Sequence, residues 1–223
     1  MDTSKIKKNI GAFAASLVKN KSIVGLGTGS TAHYFIESLA ERVRKEKLSI
    51  KTCATSQESE RLAKKLGLPV FPIDLLKKID VTFDGADKVD PKKNMIKGAG
   101  GALLREKIIA NASQRLIILV DETKLVKNLG KALLPVEVTP FGHLLTVQEI
   151  EALGLKCHQR KKNSKPFITD NGNFIYDIAL GTHSPKLLDE RLRKIPGVLE
   201  TGFFFGLASR VIVGYRDGKI ESL

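Results

Sequence analysis

The sequence has no tryptophan, and aromatic residues make up only 6% of its 223 positions. A surface that stacks nucleic-acid bases needs aromatic side chains, so this scarcity argues against base recognition. The chain also lacks any run near the roughly 18 apolar residues that span a bilayer. Lysines followed by the apolar run 10–18 superficially resemble a signal sequence. However, the helical periodicity and the missing small-residue cleavage site predict an amphipathic first helix instead.

Cysteine and histidine are also scarce. The two cysteines, Cys53 and Cys157, lie far apart and form no CxxC pair, so neither a disulfide framework nor a zinc site is indicated. This usage fits a reducing cytoplasm. Four histidines show no ligand-like spacing and are expected to be structural: His33, His143, His158 and His183.

Acidic residues are outnumbered, with 24 Asp and Glu against 37 Lys and Arg, so the formal charge is +13. This balance favours anionic ligands and raises nonspecific affinity for nucleic acid. The densest basic run covers residues 156–165, and a solvated basic hairpin is preferred there over a nucleic-acid arm. The hydrophobic content of 42% is that of a globular protein, and the length suffices for one sizeable core or two small domains.

Short apolar strands alternate with amphipathic helices through the first half of the chain, which predicts a parallel sheet with helices on both faces. The predicted strands are 22–26, 48–52, 68–71, 79–83 and 115–120. Between residues 136 and 204 the order becomes β-α-β-β-α-β, as in ferredoxin-like domains. The apolar tail 208–215 is expected to return to the first sheet.

The predicted fold class is therefore α/β, a doubly wound (Rossmann-like), mostly parallel sheet domain with an inserted ferredoxin-like α+β domain. The first domain would comprise residues 1–129 and 205–223, and the inserted domain residues 130–204. The inserted domain would serve oligomerisation or cover the cleft.

A glycine loop, GLGTGST at residues 25–31, follows the first strand. It does not fit a dinucleotide site, because Ser30 replaces the third glycine and the second strand ends without an acid. A P-loop fails as well, since no lysine follows at the required spacing. Two interpretations stay open: the hydroxyl-rich turn binds a single phosphate at a helix N-terminus, or Ser30 or Thr31 merely caps the helix.

The segment 84–107 combines two carboxylates, Asp84 and Asp87, with Lys97, a glycine cluster and then a helix bearing Glu106. Ligands of open α/β sheets bind beyond the carboxyl ends of strands, and glycine turns into helices present N–H groups to anions. Each motif alone could be a turn or a close-packing loop, but their combination favours a site. The spacing of Asp84, Asp87 and Asp90 does not match an EF-hand loop.

Six motifs together resemble, in order and spacing, the A-type ribose-5-phosphate isomerases: GLGTGSTA, DGAD, KGAGGALLREK, LPVEVTP, TDNGN and GVLETGFF. The resemblance covers essentially the whole chain. It implies interconversion of ribose 5-phosphate and ribulose 5-phosphate through a cis-enediolate, a step of the non-oxidative pentose phosphate pathway. It also implies no metal or organic cofactor and a homodimer or higher oligomer. Two departures stand out: Lys88 where the family carries Glu, and Ala99 where it carries glycine.

The resemblance also implies residue roles. Glu106 would be the general base, Asp84 and Asp87 would bind hydroxyls and open the ring, and Lys97 would meet the enediolate charge. The remaining substrate-binding residues would be Thr28, Gly29, Ser30, Thr31, Gly85, Ala86, Gly98, Ala99, Gly100 and Lys124. For three residues a purely structural alternative stays open: Glu106 could be an exposed helix residue, Lys124 a solvated loop charge, and Asp87 an N-cap.

Two rival functions remain. A noncatalytic sugar-phosphate sensor would carry a helix-turn-helix, for which the first strand near Ser22 leaves no room. An amino-sugar-phosphate deaminase of related fold would release ammonia from glucosamine 6-phosphate.

Overall fold

The computed structural model describes residues 2–130, 132–181 and 183–223. The helices of this part are α1 (Thr3–Ser16), α2 (Ser30–Glu46), α3 (Gln57–Lys65), α4 (Leu103–Ala112), α5 (His143–Glu151) and α6 (Pro185–Leu192), with short 3-10 helices at Ile73–Leu75 and Glu122–Lys124. None of the helices in these ranges is long and apolar enough to cross a membrane.

The strands are β1 (Ile23–Leu26), β2 (Lys51–Ala54), β3 (Val81–Gly85), β4 (Lys88–Val89), β5 (Met95–Ile96), β6 (Leu116–Asp121), β7 (Leu133–Val138), β8 (Cys157–Gln159), β9 (Lys161–Lys162), β10 (Lys165–Pro166), β11 (Phe174–Ala179), β12 (Val198–Thr201), β13 (Phe203–Phe204), β14 (Ala208–Gly214) and β15 (Ile220–Ser222). They belong to two compact units. The first comprises the chain up to Ala86, Arg105–Leu125 and Gly206–Leu223, and the second comprises Asp87–Leu104 and Val126–Phe205.

The first unit is built on a six-stranded sheet in the order β15-β14-β6-β3-β1-β2. Every neighbouring pair is parallel except β14 and β15. This confirms the predicted mostly parallel sheet, including the return of the tail, since β14 pairs with β6. The carboxyl ends of β1, β3 and β6 therefore lie at one edge of the sheet, where ligand sites of such folds are found.

The core of this unit follows from residue alternation. Val24 and Leu26 of β1 point to the face covered by α1 and α2, where the rings of Phe35 and Phe83 stack with centroids 4.5 Å apart. Cys53 pairs in register with Gly25, so its side chain points to the opposite face. There it packs with Ile79 and with Ile109 of α4.

The strand predicted at 68–71 does not form. Val70 makes only an isolated bridge with Thr52, although the backbone there stays hydrogen-bonded: Thr52 N–H donates to Pro69 O, and Phe71 N–H donates to Thr52 O. Prolines at 69 and 72 remove two of the N–H donors that a longer ladder would use. The prediction of a strand there was therefore wrong.

The second unit contains an antiparallel sheet in the order β12-β7-β11-β8. Its chain order is β7-α5-β8-β11-α6-β12, with the short hairpin β9–β10 between β8 and β11. The first strand lies between the last and the third, which is the ferredoxin-like arrangement that the sequence predicted. The apolar core beneath it includes Leu134, Ile150 and Leu188.

A small three-stranded sheet, β13-β5-β4, was not predicted. The predicted strand 198–204 divides at Gly202 into β12 and β13, which belong to different sheets. Gly202 O accepts from Lys97 N, and a Cβ on Gly202 would lie 2.4 Å from Lys97 O. This pairing places Asp87–Leu104 in the second compact unit, earlier in the chain than the proposed insertion 130–204. The division into domains at those positions stays a prediction.

Candidate active site

The glycine loop after β1 leads directly into α2, which begins at Ser30. Gly29, with φ +99°, occupies the N-cap position, and no side chain caps the helix there. The alternative in which Ser30 or Thr31 is the N-cap was therefore wrong. First-turn N–H groups without a side-chain cap at a helix N-terminus suit an anion such as phosphate. Thr31 is 8% exposed, as is Thr28 just before Gly29.

Asp84 lies at the end of β3 and is fully buried. Its Oδ1 accepts hydrogen bonds from Thr28 N at 3.0 Å and from Gly85 N at 2.7 Å. The hydroxyl of Thr28 lies 2.6 Å from that of Thr55. The loop GTGST and Asp84, the first residue of DGAD, are thus joined within the first unit, at the carboxyl ends of adjacent strands. Ala86 follows Gly85 directly.

Glu106 lies in the first turn of α4 and is 4% exposed. This excludes the alternative of an ordinary exposed helix residue. A carboxylate in a first turn is stabilised by the helix dipole. A carboxylate shielded from bulk water and held on a helix can act as a general base, which makes Glu106 a candidate for proton transfer.

Lys124 closes the short helix after β6, at the same edge of the sheet as Asp84. Asp121 caps this helix by accepting from Thr123 N at 3.0 Å and from the Thr123 hydroxyl. The lysine is half-buried. A half-buried lysine is therefore present at this edge.

In the second unit, Asp87 Oδ2 accepts from Ala99 N at 2.8 Å. Asp87 N donates to Ile96 O, the carbonyl next to Lys97. These bonds tie the acidic loop to the glycine loop 98–101. The loop itself turns tightly, with Gly98 at φ +109° and Gly101 N bonded to Gly98 O at 2.9 Å. A Cβ on Gly98 would lie 2.8 Å from Leu103 Cδ2, so the turn needs glycine there.

Lys97 is 2% exposed, and its ammonium lies 5.5 Å from the centroid of the Phe204 ring. A buried lysine beside an aromatic face is held in a defined orientation rather than solvated. Ala99 and Gly100, by contrast, are exposed. The loop therefore combines a fixed cation with accessible backbone.

Asp90, the third aspartate of the acidic segment, accepts hydrogen bonds from residues of its own turn. Its Oδ1 accepts from Lys92 N at 2.9 Å and from Asn94 N at 2.8 Å, and its Oδ2 from the Asn94 amide. It shapes the turn between β4 and β5. Within residues 2–130, 132–181 and 183–223, no group of three or more His, Cys, Asp and Glu side chains is arranged to hold a metal ion.

Two basic residues escaped the sequence-based reasoning. Lys7 of α1 donates to the Ser30 hydroxyl at 2.8 Å and so brings an ammonium to the first glycine loop, residues 25–31. Arg160 donates to the carbonyls of Gly98 and Ala99 in the second unit. Neither lies in a motif, and only tertiary structure places them beside one.

Comparison with known proteins agrees with this architecture. The family described as ribose 5-phosphate isomerase A (phosphoriboisomerase A) matches residues 51–218. Ribose-5-phosphate isomerase A of Bartonella quintana is 46% identical, over 100% of this chain and 98% of its own length. The structure of ribose 5-phosphate isomerase A from Methanocaldococcus jannaschii superposes with a TM-score of 0.94, at 36% identity and covering 100% of this chain and 99% of its own.

A D-ribose-5-phosphate isomerase solved in complex with phospho-erythronic acid also superposes with a TM-score of 0.94. It is 39% identical and covers 100% of this chain and 99% of its own. The fold and these full-length matches define an isomerase of the α/β class. More narrowly, the chain belongs to the ribose 5-phosphate isomerase A family.

Proposed function

We propose that the protein interconverts D-ribose 5-phosphate and D-ribulose 5-phosphate through a cis-enediolate, in the non-oxidative pentose phosphate pathway. The observation that carries the proposal is the buried carboxylate of Glu106, in the first turn of the helix after the glycine loop, in a chain of this family. Such a carboxylate fits a proton transfer shielded from water.

Glu106 acts as the base on the open-chain aldose. Its carboxylate takes the proton from C2, the C–H electron pair forms the C1–C2 double bond, and the carbonyl oxygen at C1 becomes the enediolate oxygen. The hydroxyl proton of C2 moves to the C1 oxygen, which becomes the C1 hydroxyl. The protonated Glu106 then returns its proton to C1, the electron pair of the C1–C2 double bond forms the new C1–H bond, and the C2 oxygen becomes the ketone. Positioned acid-base groups of this kind contribute about 10²- to 10⁴-fold.

Asp84 and Asp87 bind substrate hydroxyls and assist ring opening. Lys97 and the N–H groups of Gly98 and Gly100 meet the negative charge that develops on the enediolate, while the Ala99 N–H holds Asp87. Fixed donors aimed at developing charge are usually the largest electrostatic contribution to such a step. The burial of Lys97 and the hydrogen bond from Ala99 to Asp87 support these roles, since both restrict motion in the loop.

The substrate phosphate is bound by the N–H groups of residues 29–31 and by the hydroxyls of Thr28, Ser30 and Thr31. We add Lys7 to Lys124 as a cationic partner, because its ammonium already contacts Ser30 at 2.8 Å. A helix N-terminus supplies partial positive charge, and an ammonium adds a full one. Both favour an anionic phosphate.

We further propose a homo-oligomer, a dimer or tetramer, in the cytoplasm. Phe141, Leu144 and Leu145 are 93%, 64% and 68% exposed in the isolated chain, which favours a protein partner for that surface. Both cysteines are free thiols, as suits a reducing compartment. Light scattering during size-exclusion chromatography measures the mass directly, and a monomer would contradict the oligomer.

The function is tested by an NMR time course of ribose 5-phosphate with the purified protein in D₂O, with and without an exhaustive metal chelator. We expect ketose to form, with solvent deuterium at the exchanging carbon, at the same rate in both samples. Substrate shifts without ketose or exchange would indicate the sensor. Ammonia release from glucosamine 6-phosphate would indicate the deaminase, and a rate that chelation abolishes and metal restores would contradict the cofactor-free mechanism.

A further inference from the structure

Arg160 follows strand β8 and is held by two sets of hydrogen bonds. Its Nε donates to Asp177 Oδ2 at 2.9 Å, and its Nη2 to Asp177 Oδ1. Its Nη1 donates to Gly98 O at 2.6 Å and to Ala99 O at 3.1 Å. A forked pair with a carboxylate fixes the plane of a guanidinium. Arg160 therefore forms a clamp on the glycine loop 98–101: its fixed, charged guanidinium binds two consecutive carbonyls of that loop.

The clamp determines where the loop's N–H groups point. In a planar trans peptide the carbonyl and the following N–H face opposite ways, and none of the described peptide bonds is cis. With Gly98 O and Ala99 O turned toward Arg160, the N–H groups of Ala99 and Gly100 face away from it. The first of these donates to Asp87 at 2.8 Å, as this geometry requires. The second points to the same side.

The charge of Arg160 also acts through the peptide groups. A cation bonded to a carbonyl polarises that peptide, and consecutive hydrogen bonds strengthen one another. The N–H groups of Ala99 and Gly100 thus become better donors on the side where Asp87 lies. Donors of this kind matter most where negative charge appears during a reaction.

Phe167, which follows the β9–β10 hairpin, packs against the glycine loop 98–101. A Cβ on Gly101 would lie 2.3 Å from Phe167 Cε1, so the ring occupies the space that glycine leaves. Phe167 N donates to Arg160 O at 2.9 Å, and its ring centroid lies 5.9 Å from Arg160 Cζ. The hairpin between them turns at Asn163 and Ser164, both with positive φ. Lys161 and Lys162, in contrast, are exposed.

We propose that Arg160, held by Asp177 and packed beside Phe167, is a positioning residue of the active site: it fixes the Ala99 N–H that binds Asp87, and it orients and polarises the Gly100 N–H that stabilises the enediolate. The inference rests on the proposed function. This role distinguishes Arg160 from the other basic residues of the run 156–165, whose charges contribute only to the electrostatic potential around the protein. Arg160 is a positioning residue, since it acts through the backbone of residues 98–100.

The test compares Arg160→Ala, Arg160→Lys and the control Lys161→Ala, which removes a neighbouring charge without touching the loop. We expect Arg160→Ala to lower kcat by about 10- to 100-fold, as for a displaced catalytic group, with KM within about threefold. Added guanidinium chloride at millimolar concentration should restore part of kcat in Arg160→Ala and none in wild type. Lys161→Ala should stay within about twofold in both constants at physiological ionic strength.

Arg160→Lys keeps a charge beside Asp177 but cannot make the forked contacts, so its kcat should fall between wild type and Arg160→Ala. If thermal unfolding shows that Arg160→Ala does not fold, the comparison of Arg160→Lys with wild type and Lys161→Ala tests the inference instead. Wild-type kcat in either folded variant, or a loss confined to KM that Lys161→Ala reproduces, would overturn the inference alone. A wild-type protein that does not isomerise ribose 5-phosphate would overturn the proposed function, and this inference with it.

Discussion

The amide N–H of Thr28 donates a 3.0 Å hydrogen bond to Oδ1 of Asp84. This bond joins the loop after β1 to the carboxylate at the end of β3, although 56 residues separate them in sequence. Gly27, between β1 and Thr28, makes the approach possible: its N–H donates to Phe83 O, and a Cβ there would lie 2.3 Å from Asp84 Oδ1. The absence of a side chain at Gly27 therefore allows the turn that we propose to bind phosphate to contact Asp84.

Gly27→Ala should therefore damage the site. The added methyl group would force Asp84 or the loop to move, and overpacking of this kind typically costs about 1 to 3 kcal/mol of unfolding free energy. If Asp84 binds substrate as proposed, its displacement by about 1 Å should lower kcat/KM by about 10²-fold or more. Urea unfolding and steady-state kinetics measure the two effects.

Gly130→Ala is the matched control for that substitution. Its added Cβ would meet nothing closer than 3.6 Å, and its φ is not positive. We expect unfolding free energy within about 0.5 kcal/mol of wild type and unchanged kinetics. Full activity in Gly27→Ala would show that the Thr28–Asp84 contact can be rearranged without consequence.

Glu106→Gln should abolish turnover, because the amide is nearly isosteric but cannot accept the C2 proton. A fall of at least about 10²-fold in kcat is expected, with substrate affinity within a few fold. Affinity is measured by calorimetry with a non-reacting phosphate analogue, and turnover by the appearance of ketose.

Glu58→Gln makes the same chemical change in the first turn of another helix, α3, where the side chain is exposed. It should leave kcat unchanged. If Glu106→Gln retained activity like Glu58→Gln, another group would be the base.

The sequence predicted the parts of this protein that depend on local pattern. Apolar alternation predicted the parallel sheet, and the β-α-β-β-α-β order predicted the ferredoxin-like sheet, because both follow from periodicities of two and 3.6 residues. Glycine and aspartate at strand ends indicated the candidate site, since few residue types suit such turns. These predictions needed no knowledge of distant contacts.

Other features depend on tertiary structure. Strands β4, β5 and β13 are two residues long and have no periodicity to detect. Lys7 is one of several lysines in α1, and nothing in the sequence distinguishes it from the others. Only the packing of α1 beside α2 brings it to Ser30. Arg160 lay within a basic run that looked uniformly solvated, until its contacts with Asp177 and Gly98 distinguished it from its neighbours.

The two thiols should react slowly in the native protein. Burial raises the pKa of Cys53 to about 11, and burial together with the nearby Glu151 raises the pKa of Cys157 to about 11. At pH 8 about one thiol in 10³ is then ionised, and the thiolate is the reactive form. Cys157 should react before Cys53, which is 1% exposed.

Timed labelling with a chromogenic disulfide reagent checks this order. The rate of the faster thiol should rise about tenfold per pH unit between pH 8 and 10, and Cys157→Ser should remove that phase. In denaturant both thiols should react at once with an ordinary pKa near about 8.5. Labelling of Cys53 ahead of Cys157 would contradict the deeper burial of Cys53.

Asp80 should make stability depend on pH at the acid end. Its Oδ2 accepts from Ile23 N at 2.8 Å, and its Oδ1 lies 3.0 Å from the Lys78 ammonium. The backbone hydrogen bond from Ile23, and then Lys78, lower the pKa of this carboxyl below 3.8. Its stabilising contribution is therefore complete above the unfolded-state pKa and is lost as the pH falls through the lower native value.

Asp80→Asn removes that charge while keeping an oxygen that can accept from Ile23. We expect the free energy of unfolding to fall by about 1 kcal/mol at pH 7, the typical worth of a hydrogen bond to a carboxylate over a neutral one. The difference from wild type should shrink below about pH 4 as Asp80 itself becomes protonated. Urea unfolding between pH 2.5 and 7 measures it, with the exposed Asp74→Asn as a control that should show little difference at any pH. A difference that stayed constant across this range would mean that Asp80 stabilises the fold through packing rather than charge.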